Sequence, residues 1–136
     1  MTAMASHRLQ EAVFHALKHD ETVSAQMCGI YDEPPTGARF PYLVMGDTNI
    51  AVQDLKDREG VQITFDVTLW SDEPSQMQVK ELMAHTDAVL HEADLALVGF
   101  DLVYLRLANG GVIRQWNEQG SLYRGRLSYS ALVYAL

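Results

Sequence analysis

Residues 61–93 read VQITFDVTLWSDEPSQMQVKELMAHTDAVLHEA, and the period of this stretch changes once, near its middle. In the first part Val61, Ile63, Phe65, Val67 and Leu69 alternate with Gln62, Thr64, Asp66 and Thr68. An apolar residue at every second position sets one face of an extended chain against a core, and β-branched and aromatic side chains suit that pleated surface. Beyond Ser71-Asp72-Glu73-Pro74, Val79, Leu82, Met83, Thr86, Val89, Leu90 and Ala93 recur at helical spacing and form one stripe. Pro74 fits a first helical turn, with Ser71 or Asp72 as its cap. A half-buried strand therefore feeds an amphipathic helix through one tight turn. The stretch carries no catalytic motif.

Upstream, Leu9, Ala12, Val13, Ala16 and Leu17 make a helical stripe that runs to about Asp20, with Ser6 as a plausible N-cap. Glu11 near its start and Lys18 and His19 near its end suit the helix dipole. A second helical turn is expected over residues 23–27, ending at Gly29. Pro34, Pro35 and Gly37 enforce extended or turning backbone, and Pro41 precedes a short strand, Tyr42-Leu43-Val44-Met45. The polar connection 46–60 contains Ile50, Val52 and Leu55, which predicts that the flanking strands run into it as a long hairpin arm.

Downstream, residues 100–108 alternate, with Val103, Leu105 and Leu107 opposite Leu102, Tyr104 and Arg106. Asn109-Gly110-Gly111 reads as a turn, residues 112–116 as the start of a further strand, and 117–120 as a second turn. The last run sets Tyr123, Leu127, Tyr129, Ala131 and Val133 on one face, with Arg124, Arg126, Ser128 and Ser130 on the other. The predicted fold is α+β: a two-layer, mainly antiparallel sheet of about four to five strands, two helices on one face and a long hairpin arm. Residues 1–136 read as a single domain.

With 48% apolar residues the chain can bury a core, and no apolar run approaches a membrane span. The N-terminal segment has charges inside its apolar pattern, unlike a signal peptide. Cys28 is the only cysteine, so no internal disulfide forms within the chain, which fits a reducing compartment of synthesis. Its neighbours Met27 and Ile30 predict a buried structural thiol. The net charge of −8 disfavours tight DNA binding, which needs Lys and Arg against phosphates. It suits plain solubility, or a surface that must repel a polyanion.

No constellation selects a reaction. His15 and His19 share a helix face, but no Cys, Asp or third His is spaced to complete a metal site. Gly110-Gly111 lacks the Lys-Ser/Thr of a phosphate cradle, and no GxSxG elbow occurs. The expectation is a non-enzyme with no metal and no cofactor. What remains is interface chemistry, since arginine and aromatic residues are enriched where proteins meet. The candidate interface residues are Asp47, Asp54, Lys56, Asp57, Arg58 and Glu59 in the arm, and Arg106, Arg114, Arg124 and Arg126 in the C-terminal third. Acids such as Asp66 are expected to pair with those arginines.

Four pieces in this order resemble one known family: LQEAVFHALKHD, IYDEPPTGARFPYLVMGD, ITFDVTLWSDEPSQMQVKELMAHTDAVLH, and a closing strand with Tyr123-Arg124-Gly125. The most specific parts are Ile30-Tyr31-Asp32 with Pro35, Phe40-Pro41-Tyr42 and Leu69-Trp70-Ser71. The chain resembles, over about residues 9–134, the tail terminator or tail-completion proteins of long-tailed phages, prophages and gene transfer agents. That resemblance implies a homo-hexameric ring that caps the tail tube, stops its polymerisation and meets the head-side connector, with double-stranded DNA passing through the hole. It implies synthesis in the bacterial cytoplasm, assembly at the head–tail junction, no membrane, and no catalytic residues to carry over. Another neck component, a stopper or adaptor, would share much of this pattern. The residues by themselves also leave open a small-ligand or regulatory α+β module, which a deep apolar pocket would favour and a filled core would count against.

Overall fold

A computed structural model describes residues 3–136. The elements run α1 (Met4–His19), α2 (Glu21–Gln26), β1 (Gly29–Tyr31), β2 (Tyr42–Val52), β3 (Gly60–Ser71), α3 (Met77–Leu90), β4 (Phe100–Asn117) and β5 (Gly120–Ala135). The strands form one five-stranded sheet in the order β1-β2-β3-β5-β4. β1 is parallel to β2; every other pairing is antiparallel. The predicted α+β class and its mainly antiparallel sheet are thus present, with α2 as a short third helix.

The alternation in residues 61–69 does what its period requires: Val61, Ile63, Phe65, Val67 and Leu69 are all buried. The matching face of β5 adds Tyr123, Leu127, Tyr129, Ala131 and Val133. Against this face lie α1, through Ala5, Leu9, Val13 and Leu17, and α3, through Val79, Leu82, Thr86 and Leu90. Full burial of each Leu or Val contributes about 1.5–3 kcal/mol, so this layer contact dominates the fold. The space left between α1, Met45, Ile63 and Phe65 is about 10 Å³, room for one water at most. α3 comes down on Gly125, where a Cβ would stand 2.6 Å from Met83 Sδ and 2.9 Å from Val79 Cγ2. Beside it Tyr129 stacks on Phe65 at 5.5 Å and donates its hydroxyl to Asp87 Oδ1 at 2.8 Å. Burial foremost, then the bond to Asp87 and its charge, push the Tyr129 hydroxyl far above the usual phenol range.

Several local expectations are corrected. Ser6 lies inside α1, which starts at Met4 with no side-chain cap. α3 begins only at Met77, so neither Ser71 nor Asp72 caps it. Ser75 Oγ accepts from Met77 N at 3.1 Å, and the Ser71 hydroxyl accepts from Glu73 N while donating to Gln78. The turn expected over 23–27 belongs to a helix that starts earlier, at Glu21, and ends at Gln26, with Asp20 Oδ1 accepting from Val23 N at 3.0 Å. Gly29 does not end that helix; it opens β1, which sequence patterning did not show. Asn109-Gly110-Gly111 makes no turn. β4 runs straight through it, with an irregularity between Leu107 and Asn109, and a Cβ on Gly110 would sit 2.7 Å from the Arg126 carbonyl oxygen. The glycine serves close strand approach and a bulge. A second register shift between Leu102 and Tyr104 leaves Val103 unpaired and exposed, and this breaks the alternation read there. Cys28 is exposed, its thiol donating to the Phe40 carbonyl at 3.2 Å, because it lies in the link from α2 to the edge strand rather than under the helices.

Candidate functional site

The arm candidates run from the middle of β2 to one end of the sheet. Asp47 stands in the bulge of β2 between Met45 and Thr48, exposed to solvent. Residues 53–59 close the β2–β3 hairpin: Asp54 Oδ1 accepts from Gly60 N at 2.9 Å, and Leu55 N donates to Arg58 O at 2.9 Å. Lys56 and Asp57 project at its tip. Arg58 turns inward. Its guanidinium donates to the Ala135 carbonyl at 3.2 Å, pairs with Asp101 at 3.3 Å and lies 5.0 Å from the Tyr134 ring centre. The Glu59 carbonyl accepts from Ala135 N at 2.9 Å, so the hairpin tip is tied to the end of β5. The expected arm is mostly paired strand, and its free part is residues 53–59.

The arginines occupy other ground. Arg106 pairs with Glu92 at 2.8 Å and covers the Tyr104 ring at 4.2 Å. Arg126 donates to Asn109 Oδ1 at 2.8 Å and to the Ser128 hydroxyl, which itself donates to Asp66 at 2.6 Å. The predicted contact between arginine and Asp66 therefore runs through a serine. Gln62 bridges Tyr104 and Ser130 on the same face, giving a hydrogen-bonded polar surface across β3, β5 and β4. Arg114 and Arg124 lie toward the tip of the β4–β5 hairpin. Arg114 donates to the Tyr123 hydroxyl at 3.0 Å and stacks near Trp116 at 5.9 Å, while Arg124 lies 6.0 Å from the Trp70 ring. The structure thus separates the ten candidates: Asp54, Lys56, Asp57, Arg58 and Glu59 at one end, Arg114 and Arg124 at the other, and Asp47, Arg106 and Arg126 between. Charge-assisted pairs this exposed contribute little to stability, about 0–1 kcal/mol each.

The free edge of β4 is treated unevenly along its length, which no sequence signal announced. After α3 the chain turns at Glu92, whose φ of 58° is left-handed. Glu92 N then donates to Leu105 O at 2.7 Å, and Leu107 N donates to His91 Nδ1 at 3.0 Å. Residues 91 and 92 thereby take up the outward backbone groups of the first half of β4. Among the described residues nothing pairs with the outward edge of 109–117, where Ile113 and Trp116 are exposed, the latter to 72%. On the opposite side β1 covers only residues 42–44 of β2, and among the described residues nothing pairs with the outward edge of 46–52, where Ile50 and Val52 are exposed.

Reactive chemistry does not converge anywhere on this surface. His15 and His19 stack on each other at 4.0 Å, and His85 meets Gln26 at 2.6 Å. Among the described residues no three His, Cys, Asp or Glu side chains gather as a metal site. The filled layer between sheet and helices counts against a ligand pocket there; the broad hollow of about 620 Å³ beside α1, Leu95 and Val98 is an open groove. The described surface is structured, polar and held by hydrogen bonds.

A search of curated proteins finds no match. Among solved structures, a chain of the "Virion of native gene transfer agent (GTA) particle" superposes with a TM-score of 0.85 at 23% identity, over 96% of this chain and 98% of that one. At that identity the likeness shows a shared fold. A family profile described as "Tail completion protein gp17" matches residues 11–134, from within α1 to the end of β5. The chain belongs to the tail completion protein gp17 family.

Proposed function

We propose that this chain is a tail terminator, a structural subunit that joins copies of itself into a homo-hexameric ring at the head-proximal end of a phage-type tail tube. The ring ends tube polymerisation and offers its other face to the head-side connector or stopper, and double-stranded DNA passes through its hole. Family membership over residues 11–134 carries this reading. Two physical features support it. The net charge of −8 gives each subunit a field that repels phosphates, so DNA slides past without sticking. The polar, hydrogen-bonded sheet face and the two open strand edges give an inert scaffold ample surface for neighbours. No described helix is long and apolar enough to cross a membrane. In this reading the chain is made in the bacterial cytoplasm and assembled into a phage or phage-like particle.

Electron microscopy of the purified protein and of assembled particles tests the proposal. A six-fold ring at the junction of head and tail is expected, and its loss should give overlong or unjoined tails. A chain that stays monomeric in solution and is missing from complete particles would rule the proposal out.

A further inference from the structure

The two unpaired stretches of strand edge differ in place, charge and direction, and they suit each other. Building on the ring proposed above, we propose that residues 109–117 of β4 in one subunit receive residues 46–52 of β2 in a second copy of this chain, so that the sheet continues across the subunit boundary. Exposed edges are normally blunted by proline, lysine or a covering segment. Here the fold uses His91 and Glu92 to cover β4 only as far as Leu107 and leaves the rest bare. The bare half holds no proline or lysine and presents Ile113 and Trp116. The bare half of β2 likewise presents Ile50 and Val52, with β1 stopping short of it.

Direction and charge agree. The pairings β2–β3, β3–β5 and β5–β4 are all antiparallel, so β2 and β4 run oppositely and a neighbour's β2 extends the sheet in its own antiparallel pattern. The β4–β5 hairpin end offers Arg114, Arg124 and Arg126 against Glu118. The open stretch of β2 carries Asp47, and the β2–β3 end beyond it offers Asp54, Asp57 and Glu59 against Lys56 and Arg58, the latter already bound to Asp101. With Asn49 set opposite Ile113, Arg114 on the edge strand falls beside Asp47 of the neighbour, and Arg124 and Arg126 stand one strand behind it on β5. Because the two edges are different surfaces, the contact is head-to-tail, the kind that closes rings.

The offset between the edges fixes the geometry. Asn49 is level with Arg106 through Thr64 and Ser130, whereas the open half of β4 is centred on Ile113. Joining them slides each subunit by about six rungs of the ladder, roughly 20 Å, for every four strands from β2 to β4, roughly 19 Å. Strands then tilt by about 45° to the ring axis, at the upper end of the tilt of closed barrels.

Disulfide trapping in a Cys28→Ser background tests this, on purified protein and on particles. Ile113→Cys is combined in one chain with Thr48→Cys, Ile50→Cys or Val52→Cys in turn. The expected result is a ladder of cross-linked oligomers for at least one pair, with none when Ile113→Cys is combined with Met77→Cys. Trp116→Lys, at an exposed position, should weaken self-association at least about tenfold with an unchanged melting temperature. Rings that persist without a cross-link from any β2 position would overturn the edge contact while leaving the ring intact. A cross-linked dimer from Ile113→Cys alone would overturn it in favour of β4 against β4. Monomers under every condition, including particles, would remove the ring itself.

Discussion

Gly125→Ala isolates the contact that seats α3 on the sheet. The added Cβ would meet Met83 Sδ at 2.6 Å, Val79 Cγ2 at 2.9 Å and Met83 Cγ at 3.0 Å. The methionine is unbranched and swings aside at small cost. Val79 does not, because a β-branched residue in a helix is held to one χ1 rotamer. Overpacking of this kind costs about 1–3 kcal/mol, offset by about 0.5–1 kcal/mol from replacing glycine in a strand. The expected net loss is about 1–2 kcal/mol, a melting temperature lower by about 3–8 °C for a chain of this size. Urea denaturation gives the free energy directly. The same substitution in a Val79→Ala background should cost at least about 0.5 kcal/mol less, since the shared contact is gone. Gly125→Ala equal to or more stable than the parent would refute the seating argument, and a cost unchanged in the Val79→Ala background would refute the role given to Val79.

Three further outcomes are expected. Tyr129→Phe should cost about 1–2 kcal/mol at neutral pH through loss of the bond to Asp87, read by urea melts. Because the folded-state ionisation of Tyr129 is raised above that of the unfolded chain, its share of stability is complete below about pH 10 and lost as pH rises beyond; the phenylalanine variant should show a flatter alkaline limb, and parallel curves would count against this. His91→Ala uncovers the backbone N–H of Leu107, so light scattering should show more self-association than the parent at equal concentration, and no change would mean that the cover is incidental. Amide exchange across 47–60 should be slower in the ring than in the isolated chain, and equal protection in both would contradict the place given to this segment.

What the sequence made legible was whatever depends on local period. Residues 61–69 and the stripe from Val79 to Leu90 gave the strand, the helix and the buried face, since one-sided burial leaves no freedom in which side chains turn inward. Where a local signal has two physical causes, the reading failed. Glycine at 110 and 111 serves positive φ in a turn or close approach in a strand, and only the partner strand decides between them. β1, three residues beside two prolines, is too short to carry a period at all. The candidate residues were chosen by residue type, which could not know that the open stretches of β4 and β2 lie on opposite sides of the sheet. The cover supplied by His91 and Glu92 depends on contacts more than a dozen residues away, and no nearby pattern encodes it.

The strand order has a consequence for biosynthesis. β5 lies between β3 and β4, and those two share no backbone pairing. A nascent chain that has reached the end of β4 therefore holds one hairpin, β2–β3, and a long strand with no partner. The sheet closes only when residues 120–135 leave the ribosome, after which β4–β5 folds locally across its two-residue turn and docks on β3. At about 5–20 residues per second the vulnerable interval is short, but it sets a sequence of events. A chain ended before residue 120 lacks the strand that holds β4 in the sheet, so it carries only the β2 half of the proposed contact.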